Sequence, residues 1–192
     1  MKRVLFIVTL TLCCGFVFSQ EGKEWKTKGF EAQIKLCVDE GVDYQKNTSC
    51  SADFVAAYRF NELFRLGAGI GIEYDKLIFE DAKYIYRYYD AYYEGAISIP
   101  IFVNLKIDFM RTKVSPYLSA NCGYNFFIPF SKYAQDNKLG FFIHPAIGVD
   151  IHFSKCTLFC ELGYKYQHRS FESGEDEYKG YHQISQSIGI SF

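Results

Sequence analysis

Beyond residue 19 the sequence has no apolar run long enough for a transmembrane helix, which needs about 20 residues. If the remainder enters a membrane, it must do so as a closed sheet, because only helices and closed barrels satisfy every backbone polar group in lipid. Basic clusters are absent, and Lys+Arg 21 against Asp+Glu 22 leaves a formal charge of −1, so no nucleic-acid partner is expected. Histidine is scarce, at 4, and no Cys/His set has metal-site spacing; no metal or other cofactor is expected. Aromatic residues, by contrast, make up 19% of the chain, dominated by Tyr and Phe.

The first 19 residues read as a secretory signal peptide. Lys2 and Arg3 form a charged start, residues 4–18 an apolar stretch, and Val17 and Ser19 occupy plausible −3 and −1 positions for cleavage before Gln20. Leu12 precedes Cys13 where a lipoprotein signal carries a small residue. Residues 20–192 are long enough for one domain, with a formal charge of −3 once Lys2 and Arg3 are gone. Five cysteines remain, an odd number that cannot all pair within the chain. Cys156 and Cys160 stand about 13 Å apart on a strand, too far for a disulfide. Cys37 and Cys50 flank a hairpin, but alternation puts them on opposite faces. Cys122 and Cys160 fall on the apolar face as small hydrophobes.

What the chain has in abundance is alternation. Ile97, Ile99, Ile101, Val103, Leu105, Ile107 and Phe109 are interleaved with Ser98, Pro100, Phe102, Asn104, Lys106 and Asp108. Period two over this length means a strand with one apolar and one mostly polar face. It also matches the roughly 9–11 residues that a tilted strand needs to cross a bilayer. The same pattern predicts strands over 29–39, 49–60, 65–74, 97–109, 114–126, 139–153, 156–167 and 181–192. Short links follow the second, fourth and sixth, around 61–64, 110–113 and 154–155; longer ones follow the others, around 40–48, 75–93, 127–138 and 168–180. That alternation of lengths is the one expected for an up-and-down antiparallel transmembrane β-barrel with short periplasmic turns and longer extracellular loops.

Such a barrel of about eight strands is just filled by its own side chains, so a wide pore is not expected. The polar face carries Glu31, Lys35, Asp53, Arg59, Glu73, Lys106, Asp108, Asp150, Glu161 and Lys165, a mixture of signs able to pair inside. Pro100, Pro116 and Pro145 sit within strands, where each removes a ladder hydrogen bond, so bulges or broken pairing are expected there.

The order of Ile99-Pro100-Ile101-Phe102-Val103-Asn104-Leu105, Ser115-Pro116-Tyr117-Leu118, Gly123-Tyr124, Pro145-Ala146-Ile147-Gly148-Val149, Leu162-Gly163-Tyr164 and Ile188-Gly189-Ile190-Ser191-Phe192 resembles the small outer-membrane β-barrel ("porin family") proteins of Bacteroidota. In size the chain is similar to OmpA-like and OmpX-like barrels. The resemblance implies an integral outer-membrane location, contact with outer-membrane lipid, and no single activity. It also implies that Phe192, Ile190 and Ile188 form the signal read by the barrel-assembly machinery; Gln186 departs from the apolar pattern of that signal.

Few residues suggest chemistry. His168 and Ser170, beyond the seventh strand with Glu172 and Asp176 nearby, could form a His–Ser–acid set for acyl transfer. The lipid A deacylase barrels, however, carry His-x-Ser-Asn, and here Phe171 follows Ser170. His152 and Ser154 repeat the spacing at the periplasmic end. His144 reads as an interior hydrogen-bonding residue, and the run Gly67, Gly69, Gly71 as small inward residues rather than a phosphate loop. Tyr84, Tyr86, Tyr88, Tyr89, Tyr92 and Tyr93 fit an aromatic girdle, or a binding surface for an extracellular ligand or surface. The expectation is a non-enzymatic scaffold presenting extracellular loops for adhesion, recognition or envelope integrity. The alternatives are a narrow channel for ions or small solutes and, below that, a lipid-modifying enzyme.

Overall fold

The computed structural model describes residues 28–42, 48–78, 93–110, 112–128, 137–171 and 180–192. They form β1 (Gly29–Gly41), β2 (Thr48–Arg59), β3 (Phe64–Ile78), β4 (Tyr93–Asp108), β5 (Val114–Ile128), β6 (Asn137–His152), β7 (Thr157–Phe171) and β8 (Tyr181–Ser191). Each strand pairs antiparallel with the next, and β8 returns to β1, so the sheet closes into a barrel without a free edge. The links at one end, 60–63, 109–113 and 153–156, are short; those at the other, 42–47, 79–92, 129–136 and 172–180, are longer. Asn61 fixes the first short link, its Oδ1 accepting from the backbone N of Leu63 at 2.9 Å and of Phe64 at 2.8 Å.

At the short-link end each strand stops within one residue of the expected position; at the long-link end β3, β4 and β7 run four residues further. His168 and Ser170, expected beyond the seventh strand, therefore lie within β7, with Ser170 opposite Lys138 of β6.

The two faces invert the usual distribution of a soluble protein. Ile72 is 61% exposed while the next residue, Glu73, is 2% exposed. Ile107 is 38% exposed beside Lys106 at 1%. Inside, a small apolar layer of Val55, Ala57, Phe102 and Phe142 sits among polar residues. The rings of Phe102 and Phe142 meet edge to face at 6.0 Å. A Cβ on Gly69 would lie 2.3 Å from Phe102 Cζ, so only glycine leaves room for that ring.

Outside, aromatic rings gather at two levels. Near the short links Phe30 packs on Tyr58 and Tyr58 on Phe60, both at 5.0 Å, and Phe60 reaches Phe64 at 5.7 Å. Towards the long links stand Tyr74, Tyr124, Phe126, Tyr164 and Tyr166, the last two packed against His182. Phe64 and Tyr74 are ten residues apart on β3, which a tilted strand turns into about 25 Å along the barrel axis.

Two of the three strand prolines break the ladder as expected. The β3–β4 pairs skip from Ile70↔Ile101 to Glu73↔Ser98 around Pro100, and the β6–β7 pairs skip from Ile143↔Tyr166 to Ala146↔Gly163 around Pro145. Pro116 departs from the expectation: its ladder to β6 is unbroken, opposite Val149. Its carbonyl accepts from Phe109 N at 2.9 Å, so its missing N–H faces the residue just past the end of β4 and not the ladder to β6. The register shift that does occur lies between Leu139 and Phe142 of β6, away from any proline. Gln167 covers it from inside, donating through Nε2 to Gly140 O at 3.0 Å. Cys37 faces the interior and Cys50 the exterior, and among the described residues neither they nor Cys122, Cys156 and Cys160 form a disulfide.

Candidate functional site

All ten charged residues assigned to the interior from the sequence point inward, and the barrel sorts them into two groups. The first lies at the short-link end. Alternation along β3 puts Arg65, beside the first rung of that strand, on the inner face. Its Nη2 donates to Asp108 Oδ1 at 2.6 Å and Asp150 Oδ2 at 2.7 Å, and its Nη1 to Glu31 Oε2 at 3.0 Å. Arg59, at the end of β2, donates through Nε to Glu31 Oε1 at 2.6 Å and through Nη1 to Asp108 Oδ2 at 3.0 Å. Lys106 Nζ donates to Asp150 Oδ1 at 2.7 Å and lies 3.5 Å from the centre of the Tyr117 ring. Three cations thus meet three carboxylates, and every carboxylate oxygen has a cationic donor. The lattice ties β1, β2, β3, β4 and β6 across the lumen.

The second group fills the middle and the long-link half. Lys165 bridges Asp39, at 3.1 Å, and Glu73. Ser49 Oγ sits between the same carboxylates, and Asn125 Nδ2 donates to Glu73 Oε2 at 3.0 Å. Lys35 Nζ is 3.7 Å from Asp53 Oδ2 and 3.6 Å from Glu161 Oε2, within ion-pair range but beyond a good hydrogen bond. Tyr117 Oη and Ser119 Oγ donate to Glu161 Oε1 at 3.0 and 3.1 Å. Here two lysines face four carboxylates. Asp53 Oδ1 and His144 Nε2 are buried without a hydrogen-bond partner. Both residues line a cavity of about 20 Å³, with Phe102 and Phe142 on its wall. That is room for about one water molecule, which would have polar partners there.

The charged residues expected inside from the sequence do not include Arg65, which touches three carboxylates and shares the parity of Gly67 through Glu73. Asp39, at the far end of β1, has the parity of Lys35 and lies with it on the polar face. Asn121, whose Oδ1 accepts from Asn104 Nδ2 at 2.6 Å, shares an inner row with Ser119.

The other sequence candidates are dispersed. Tyr84, Tyr86, Tyr88, Tyr89 and Tyr92, with Glu172 and Asp176, lie outside the described residues; Tyr93 opens β4 opposite Ile78. His152 meets Thr157 Oγ1 at 2.9 Å. Ile188, Ile190 and Phe192 point outward along the closing strand, where Phe192 and Ala32 exchange backbone hydrogen bonds. Among the described residues no group of His, Cys, Asp and Glu is placed to hold a metal ion.

No protein-family model matches the chain, and no curated protein does. Among solved structures the barrel is similar to Neisserial surface protein A, with 17% identity and a TM-score of 0.58, over 87% of this chain and 98% of that one. It also overlaps the N-terminal β-barrel domain of Pseudomonas aeruginosa OprF (11% identity, TM-score 0.48, 86% and 99% covered). A further overlap is with the outer membrane enzyme PagL (12% identity, TM-score 0.47, 82% and 97% covered). The likeness is one of fold: an eight-stranded, all-antiparallel closed barrel of the outer-membrane type.

Proposed function

We propose that this protein is an integral outer-membrane barrel acting as a non-enzymatic scaffold. Its short links face the periplasm, and its long links are presented outside for adhesion, recognition or envelope integrity. The observation that carries this reading is the inverted distribution of side chains. Isoleucine, leucine, valine and aromatic residues cover the exterior between two ring levels about 25 Å apart, which matches the apolar band of such barrels. The partners that follow are membrane lipid along the apolar wall and the barrel-assembly machinery at Ile188, Ile190 and Phe192. An extracellular ligand or surface would meet the segment holding Tyr84 through Tyr93. Export rests on the signal peptide of residues 1–19.

A scaffold is favoured over a narrow channel because charged side chains cross the lumen. Arg65 alone bonds side chains from β1, β4 and β6. It is favoured over a lipid-acting enzyme because the residue after Ser170 is Phe171, the last of β7, where the deacylase motif has Asn. Planar-bilayer recording tests the choice. Purified protein should insert without stable conductance steps; regular ohmic steps would turn the reading to a channel. Altered lipid A on overexpression, lost in Ser170→Ala, would turn it to an enzyme.

A further inference from the structure

Glu40, Thr48 and His182 stand at the long-link end of the outward rows; below them one polar residue interrupts the described apolar wall. Between the two aromatic levels the described outward side chains are aliphatic, aromatic, Cys or Pro, except for Gln186 on β8. It is exposed, and no side chain or backbone group of the described residues bonds its amide. Gln186 is flanked by Val38 of β1 and Leu162 of β7, with Ile184 and Ile188 before and after it, all of them exposed. It stands six residues from Phe192, about 15 Å along the axis of a tilted strand. That is close to mid-depth of an apolar band about 25 Å tall.

An amide at this depth meets hydrocarbon, which offers neither donor nor acceptor, and a buried polar group left unbonded there is costly. A primary amide carries two N–H donors and a carbonyl acceptor, so it is its own complement. Two copies of one chain inserted in the same direction place the same residue at the same depth. A two-fold axis along the membrane normal makes a contact in which a residue near the axis faces itself. The exposed aliphatic residues around Gln186 supply the apolar surface of such a contact.

We infer that the β7–β8–β1 wall is the interface of a homodimer, with the Gln186 amides hydrogen-bonded to each other across the two-fold axis. The inference rests on the membrane placement proposed above. Hydrogen bonds of this kind within membranes are each worth a modest amount, so replacing Gln186 by Leu should weaken the dimer by about ten- to a hundredfold.

The test uses the full chain in outer membranes, with its native cysteines replaced by Ala. Ile184→Cys, at the next outward position of β8, keeps the Gln186 amide and is compared with Ile101→Cys on β4, the opposite wall. Oxidation should link Ile184→Cys into a dimer of twice the chain mass, lose that link when Gln186→Leu is added, and leave Ile101→Cys monomeric. Sedimentation of the unmodified protein in detergent should show a dimer that Gln186→Leu dissociates. Equal cross-linking at both positions, a monomer in the unmodified protein, or linkage of Ile184→Cys to a different protein would each overturn the inference. Unboiled gel mobility is recorded for every variant. A compact membrane barrel that stays monomeric removes the dimer alone, whereas loss of the compact membrane form removes the placement on which it stands.

Discussion

The two halves of the barrel interior are built on different balances of charge. At the short-link end three cations and three carboxylates use every carboxylate oxygen, at 2.6 to 3.0 Å. In the other half two lysines serve four carboxylates, two of the contacts stretch to 3.6 and 3.7 Å, and Asp53 Oδ1 and His144 Nε2 line a small cavity unbonded. A buried ion pair gives little net stability over an apolar filling, but removing one partner is strongly destabilising because the other charge is left in a poor solvent. The first half therefore works as a clasp that tolerates no loss. The second carries carboxylates it can spare.

The sharpest way to break this contrast is Arg65→Met, which strips a donor from Glu31, Asp108 and Asp150 together. It should cost about 3–5 kcal/mol in urea unfolding from detergent micelles. A cost near zero would mean that the clasp holds nothing. Next comes a matched pair of neutralisations. Asp150→Asn should destabilise by about 3 kcal/mol, whereas Asp53→Asn, in the acid-rich half, should change stability by less than about 1 kcal/mol or raise it. Equal costs in the same unfolding experiment would dissolve the distinction between the halves. Gly69→Ala forces a methyl into the Phe102 ring and should cost about 1–3 kcal/mol. The same substitution at Gly29, where nothing lies within 4 Å of an added Cβ, tests backbone strain alone, since its φ is +143°. The smallest effect is expected at Pro145→Ala. It should shift stability by less than about 1 kcal/mol while slowing amide exchange at Tyr164, across the skipped rungs. Unchanged exchange there would mean that the proline is not what opens the β6–β7 ladder.

How much of this was legible in the sequence follows from the same physics. Between the aromatic levels the two faces of each strand meet opposite surroundings, so alternation is strong, and strand number, parity and the short-link ends follow from it. Past Tyr74 that contrast fades: Asp75 and Lys76 precede Leu77 and Ile78, and β3 continues unannounced to Ile78. Parity placed Lys106 and Asp108 inside, yet which carboxylate each cation takes depends on the stagger of strands distant in sequence. Arg65 and Asp150, 85 residues apart, meet only once the barrel closes. The register shift near Gly140 left no sequence mark, because its compensation comes from Gln167 on the neighbouring strand.

Gel mobility of the protein from an outer-membrane fraction, unboiled against boiled, tests the central claim most directly. A closed barrel clasped from within and apolar outside should be recovered with the membrane and run faster unboiled, as a compact form that heat converts to the extended chain. Recovery in the soluble fraction with no difference between the two samples would contradict it.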